Sequence, residues 1–197
     1  MSDLAVRSFA VGLAVETGIA LASAKVSPRW FFPDQLPKSK AKLWHTTAAA
    51  MFPAVVAPFL SASGLYELLR SRSGEDILLE PANRLLWRAL GISVAHFSFD
   101  FMVMAVFCRD FVEAMRRPLY SQMMFHHLAS ALVWPYAFLQ RKCVFPVAYY
   151  MISEISNIPL NARWFACELG VNGPRRMLFD ASFFVLYTLS SPCGSTG

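Results

Sequence analysis

Three groupings of polar side chains inside apolar stretches carry the chemistry open to this chain. His96 and Asp100 stand four residues apart, so on a helix they stack on one face. A carboxylate there raises the basicity of an imidazole and fixes its tautomer, as a general base requires. The same pair also serves as an internal hydrogen bond at a helix contact. His126 and His127 are adjacent, and neighbours on a helix point about 100° apart. One can face a bundle interior while the other packs on a neighbouring helix, as metal ligand, general base or structural donor. Glu154, Asn157 and Asn161 fall at i, i+3 and i+7, a single helix stripe. Arg163 falls on the other side unless Pro159 rotates the second half. The stripe either closes a hydrogen-bonded network between helices or lines a polar cavity for a lipid headgroup or a reacting amide.

Other chemistries lack their residues. There is no H-E-x-x-H, and the four histidines, His45, His96, His126 and His127, are too few for the histidine boxes of membrane di-iron enzymes. No metal and no resident cofactor is expected. The four cysteines, Cys108, Cys143, Cys167 and Cys193, form no C-x-x-C. No nucleophile elbow, Walker loop or dinucleotide fingerprint occurs.

An ionisable side chain at a bilayer centre costs about 2.5–3.5 kcal/mol on insertion scales, so these groups matter because of what surrounds them. The 197 residues are 56% hydrophobic and 16% charged. A soluble domain averages about 25% charged, and a small soluble globule cannot hide this much apolar surface. Six apolar segments emerge: Leu4–Ala24, Leu43–Tyr66, Leu85–Cys108, Leu119–Gln140, Cys143–Cys167, and one from Met177 that fades by Ser191. The expected fold is an all-α membrane protein, a bundle of about six transmembrane helices, since helices satisfy their own backbone in lipid. Sustained alternation at period two, the mark of a barrel, is missing. Residues 1–39 read as a first transmembrane helix and basic loop, 40–191 as the main transmembrane domain, and 192–197 as a short tail that a truncated chain would leave. The run Ala20–Ala24 resembles a cleavage site, but Glu16 interrupts the apolar core that a leader needs.

The net charge of +5 is spread in short clusters between segments, not along a nucleic-acid-binding stripe. Loops one, three and five hold ten Lys and Arg, against seven for the N-terminus and loops two and four, which places the odd loops in the cytosol. Lys38, Lys40 and Lys42 carry most of that bias and read as a patch for anionic headgroups. Trp30, Phe31, Phe32 and Trp44 read as interface anchors.

Phe99-Asp100, the run Phe125 to Ser130 around the histidine pair, and the run Glu154 to Trp164 resemble, in this order and spacing, the TLC domain (the TRAM, Lag and CLN group). The stretch from Leu43-Trp44 to Leu65-Tyr66 is similar to that domain's opening helix. The resemblance covers about residues 40 to 190 and implies a multi-helix protein of the endoplasmic reticulum or related membranes. Its best-known branch, the ceramide synthases, joins an acyl chain from acyl-CoA to a sphingoid amine. Other branches act in lipid sensing, lipid composition or handling of nascent proteins. The acidic stretch that follows the histidine pair in the synthases is not matched after His127. A histidine often found in the opening helix is not matched either, since Met51-Phe52-Pro53 stands there. The pattern is nearer the small TLC domain-containing proteins.

Two functions follow from the resemblance. In the first, the bundle binds or senses a membrane lipid, a sphingolipid or phospholipid, through His96, Glu154, Asn157, Asn161 and Arg163, and serves lipid homeostasis. In the second, it is an acyl-CoA-dependent N-acyltransferase. His126 or His127 is then general base or acyl carrier, Asp100 orients that imidazole, and Asn157, Asn161 or Arg163 binds the oxyanion or substrate. The expected partners are membrane lipids, with a homodimer as a further candidate and nucleic acid excluded.

Overall fold

A computed structural model describes residues 3–30, 36–70, 82–141, 143–171 and 173–190. The described residues contain no strand. The helices are α1 (Asp3–Trp30), α2 (Lys38–Arg70), α3 (Arg84–Val106), α4 (Cys108–Met115), α5 (Arg117–Leu139), α6 (Val144–Ser153), α7 (Asn157–Glu168) and α8 (Pro174–Ser190). One 3-10 turn, Glu154–Ser156, joins α6 to α7. The six apolar segments correspond to α1, α2, α3, α5, the broken pair α6–α7, and α8.

Stretches of α1, α2 and α3 are long and apolar enough to cross a membrane, with mean hydropathies of 1.6, 1.6 and 1.7. At about 1.5 Å per residue, the 23 residues of α3 reach about 34 Å, enough for a hydrocarbon core of about 30 Å. Helix α2 has 33 residues and keeps Pro53 and Pro58 inside it. It is therefore longer than the core is thick.

The central strut is α3, which is packed by α1, α2, α4, α5 and α6. It starts on a side-chain cap: Leu86 N donates to Asn83 Oδ1 at 3.0 Å, and Asn83 Nδ2 donates to the Gly64 carbonyl at 2.8 Å. Its first half is encased in an apolar core with Leu65 and Leu68 of α2, Trp134 and Phe138 of α5, and Val144, Val147 and Met151 of α6. The buried Ser61 hydroxyl of α2 donates to the Ala148 carbonyl at 2.7 Å, stapling α2 to α6.

Small residues let α1 lie against α3. A Cβ placed on Gly91 would stand 2.4 Å from the Ala5 carbonyl oxygen, and one on Gly12 would stand 2.9 Å from Ala95 Cβ. This backbone-close contact carries Glu16 into the bundle.

At the opposite end of α3 the helices are linked by ions. Lys40 Nζ at the start of α2 donates to Glu168 Oε1 at the end of α7 at 2.8 Å, and Lys42 Nζ pairs with Asp110 of α4. Lys42 also lies 3.9 Å from the centre of the Phe107 ring. The start of α2, helix α4 and the end of α7 thus meet at one end of the bundle.

Two sequence expectations are corrected, those for Trp44 and for the fifth segment. Within the lysine patch, Lys40 and Lys42 each make an interhelix pair, with Glu168 and Asp110; the Lys38 side chain lies outside the described residues. Trp44 is not an interface anchor: it is 5% exposed, donates from Nε1 to Ser27 Oγ at 3.1 Å, and meets the Phe165 ring edge-on at 4.6 Å. Phe31, Phe32, the Trp30 side chain and the 192–197 tail lie outside the described residues. The fifth segment is not one helix but two, parted at Glu154–Ser156. The run Ala20–Ala24, read as cleavage-like, lies within α1, which continues unbroken to Trp30.

Candidate functional site: a cavity at the ion-paired end

Below the apolar core the bundle opens into a cavity of about 710 Å³. That size falls within the roughly 300–1,000 Å³ range of small-molecule sites. Its apolar wall comes from α2 (Leu43, Pro53, Ala54, Ala57), α4 (Phe111, Met115) and the start of α5 (Leu119, Met123). Its polar wall holds His96, Asp100, His126, His127, Glu154, Asn157, Asn161 and Arg163. All eight side chains singled out in the sequence therefore border one hollow, although they come from α3, α5, the 3-10 turn and α7.

On α3 the one-turn spacing places His96 Nε2 3.9 Å from Asp100 Oδ2. This is longer than a hydrogen bond, so the pair faces each other without closing. The other imidazole nitrogen is engaged: His96 Nδ1 donates to Glu16 Oε2 of α1 at 3.1 Å. Glu16 is completely buried. The resulting row, Glu16–His96–Asp100, joins two helices through one ring.

The adjacent histidines of α5 divide as the 100° step requires. His127 is 3% exposed and turns inward, its ring centre 5.8 Å from that of His96. His126 is exposed but still borders the cavity. The Phe97 ring lies 5.6 Å from each imidazole and packs edge-on against Trp134 at 4.8 Å, which holds this wall in place.

On the α7 side, Asn157 Nδ2 donates to Glu154 Oε2, and Arg163 Nε pairs with Asp180 Oδ1 of α8. The stripe thus survives the break in the helix because the 3-10 turn keeps Glu154 within reach of Asn157. Arg163 also reaches the cavity, its guanidinium already held by a carboxylate.

Four buried polar atoms have no hydrogen-bond partner among the described residues: Glu16 Oε1, Ser93 Oγ, Asp100 Oδ1 and His127 Nδ1. Buried groups of this kind are uncommon and costly. His96, Asp100 and His127 each offer a ligand atom such that the three lie within 4.8 Å of one another.

Glu16 was missed as a site residue. In the sequence it counted only against a cleaved leader, although an acid inside an apolar run was itself the signal. Ser93 and Asp180 were also missed. Ser93 is one turn before His96 on α3, and a serine in an apolar helix carries no comparable signal.

The TLC domain family model matches residues 40–190. No curated protein and no solved structure matches the chain.

Proposed function

Because the chain belongs to the TLC domain family, membrane proteins of lipid metabolism or homeostasis, we propose that it binds a membrane lipid in the cavity at the ion-paired end of its bundle. The acyl chain lies against Pro53, Ala54, Ala57 and Met123. The headgroup meets Glu154, Asn157, Asn161 and the imidazoles. The observation that carries this reading is the meeting of an apolar wall and eight polar side chains around one hollow of about 710 Å³. A sphingolipid or phospholipid presents the amide, hydroxyl or phosphate that such a wall can hydrogen-bond. The proposal includes residence in the endoplasmic reticulum membrane, the compartment that the family resemblance implies.

The test is lipid analysis of the purified chain beside Ala57→Phe, which fills the hollow from its apolar side, and Asn157→Ala/Asn161→Ala, which strips its polar side. One lipid class enriched with the wild-type chain and depleted in both variants is the expected result. Equal lipid content in wild type and Ala57→Phe overturns it.

A second reading rests on one observation: the inward His127 and Asp100 border the same cavity as the Asn157–Asn161 amides. That set can perform N-acyl transfer. His127 would take the proton as an amine attacks an acyl-CoA thioester, an Asn amide would donate to the oxyanion, and collapse of the tetrahedral intermediate would break the C–S bond and release CoA as its thiol, protonated from His127. Acyl-CoA and a long-chain amine incubated with wild type and His127→Ala decide it. Turnover lost in the variant supports transfer, and lipid carriage without turnover in either protein rejects it.

A further inference from the structure

We propose that His96, Asp100 and His127 form a site for one divalent transition-metal ion. The donor set is two imidazoles and a carboxylate, which suits Zn²⁺ and its neighbours better than the oxygen-seeking Mg²⁺ or Ca²⁺. The three ligand atoms lie within 4.8 Å of one another, and His96 Nε2 and Asp100 Oδ2 are 3.9 Å apart. Metal–ligand bonds of about 2.0–2.2 Å in a tetrahedron set ligand atoms about 3.3–3.6 Å apart. Small side-chain rotations close that difference.

Three further features argue for an ion over a simple hydrogen-bonded cluster. First, Glu16 Oε2 lies 3.1 Å from His96 Nδ1, and a carboxylate there favours the tautomer with its proton on Nδ1, whose Nε2 lone pair faces Asp100. A carboxylate behind a ligating histidine is the usual arrangement that orients the ring. Second, the trio does not satisfy itself: His127 is 3% exposed with Nδ1 unpartnered, and Asp100 Oδ1 is unpartnered too. Third, acids outnumber fixed cations around the cluster. Glu16 and Asp100 are two carboxylates within one buried cluster, and the guanidinium in the cavity wall, that of Arg163, is held by Asp180. Buried charges are paired or coordinate metals, and a dication balances both acids while the imidazoles remain neutral ligands.

Three protein ligands leave a fourth position, and all three line the cavity. There an ion would polarise a carbonyl or phosphoryl oxygen of a bound molecule. That last step rests on the lipid reading, whereas metal binding itself does not.

The full chain, purified in detergent without chelators or a histidine tag, is assayed for metal by elemental analysis. It is then stripped and titrated with Zn²⁺ against a competing indicator. One equivalent per chain is expected. His127→Ala and Asp100→Asn should lower affinity at least a hundredfold, Glu16→Gln about 10–100-fold, and His126→Ala less than threefold. Asp100→Asn keeps the volume of the side chain, and each variant is checked for helicity and a single elution peak. Co²⁺ loading of the wild type, with a visible absorption band from a tetrahedral site, reports independently of every variant. Failure of the stripped wild type to take up either ion overturns the proposal. So does Zn²⁺ uptake unaltered in folded His127→Ala or Asp100→Asn.

Discussion

Replacing Gly91 by alanine adds one methyl group where α1 and α3 touch. The new Cβ would stand 2.4 Å from the Ala5 carbonyl oxygen, 2.8 Å from Ser8 Cβ and 3.0 Å from Phe9 N. Two of these three atoms are backbone of α1, so no rotamer relieves the contact. Helix α1 must retreat by about 1 Å to reach ordinary van der Waals distance, an overpacking that costs about 1–3 kcal/mol. A rigid α1 carries Glu16 with it. The His96–Glu16 hydrogen bond, 3.1 Å in the native bundle, then passes the limit of about 3.5 Å, and a buried acceptor and donor are left without partners. That adds about 1–3 kcal/mol. The gain in helix propensity returns about 0.5–1 kcal/mol. The expected net loss is therefore about 1–5.5 kcal/mol.

The assay is thermal unfolding in a mild detergent, followed by helical circular dichroism, with two companion substitutions. A Cβ on Gly18 meets nothing within 4 Å, so Gly18→Ala should leave stability unchanged or slightly raised. A Cβ on Gly12 stands 2.9 Å from Ala95 Cβ, with the α3 backbone next at 3.5 Å, so Gly12→Ala should fall between the other two. Adding Ser8→Gly to Gly91→Ala should recover little, because the Ala5 carbonyl stays where it is. Gly91→Ala as stable as Gly18→Ala, or full rescue by Ser8→Gly, would refute the reasoning that backbone contact sets the α1–α3 distance.

Trp44→Ala should cost about 3–5 kcal/mol, since it removes a buried indole together with its Ser27 hydrogen bond and its contacts with Trp164 and Phe165; a loss under 0.5 kcal/mol in the same melt would mean an anchor at the membrane surface after all. Lys42→Ala should cost under 1 kcal/mol, because both partners of the Lys42–Asp110 pair are about one-third exposed; the melt should respond to salt in the wild type and lose that response in the variant. Cys108, which opens α4 ahead of α5, and Cys143, which follows α5, are both exposed. A membrane-impermeant maleimide should therefore label them from opposite sides of sealed vesicles, with Cys108 on the side of the odd loops, and labelling of both from one side would overturn the alternation.

Much of the cavity was legible because lipid makes a misplaced polar residue conspicuous. His96, Asp100, the histidine pair and the Glu154–Asn157–Asn161 stripe each break an apolar run, and each borders the hollow. Pairing was less legible than placement. Arg163 looked misdirected on an ideal helix, but it reaches both the cavity and Asp180. The sequence contained Pro159 as a warning, whereas the break itself falls at Glu154–Ser156, where no residue type announces it. The partners of Trp44 and of the lysines were hidden for a shared reason. Both were judged by residue type at a segment end, where aromatic and basic side chains usually meet headgroups. Here α4 and α7 pack against the same end of α2 and supply Asp110, Glu168, Trp164 and Phe165 as partners. Such contacts are long in sequence, and no local pattern encodes them.

The placement of Glu16 changes how the matched domain should be understood. Residues 40–190 carry every other member of the polar cluster, yet the carboxylate that holds the His96 ring comes from α1, ahead of the match. Helix α1 is pressed to α3 through Gly12, Gly91, Ala5 and Ala95, residues too small to contribute much burial of their own. Small residues at a helix contact shorten the distance between backbones at the expense of side-chain packing. That exchange is reasonable if proximity itself is what the contact provides. Glutamate has a short reach, and its oxygen must come within hydrogen-bond distance of an imidazole on a neighbouring helix. The orientation of His96, and hence which of its nitrogens faces Asp100 and His127, is therefore controlled from outside the matched domain. Exchanging α1 for an unrelated apolar helix should preserve the cavity walls but release that ring.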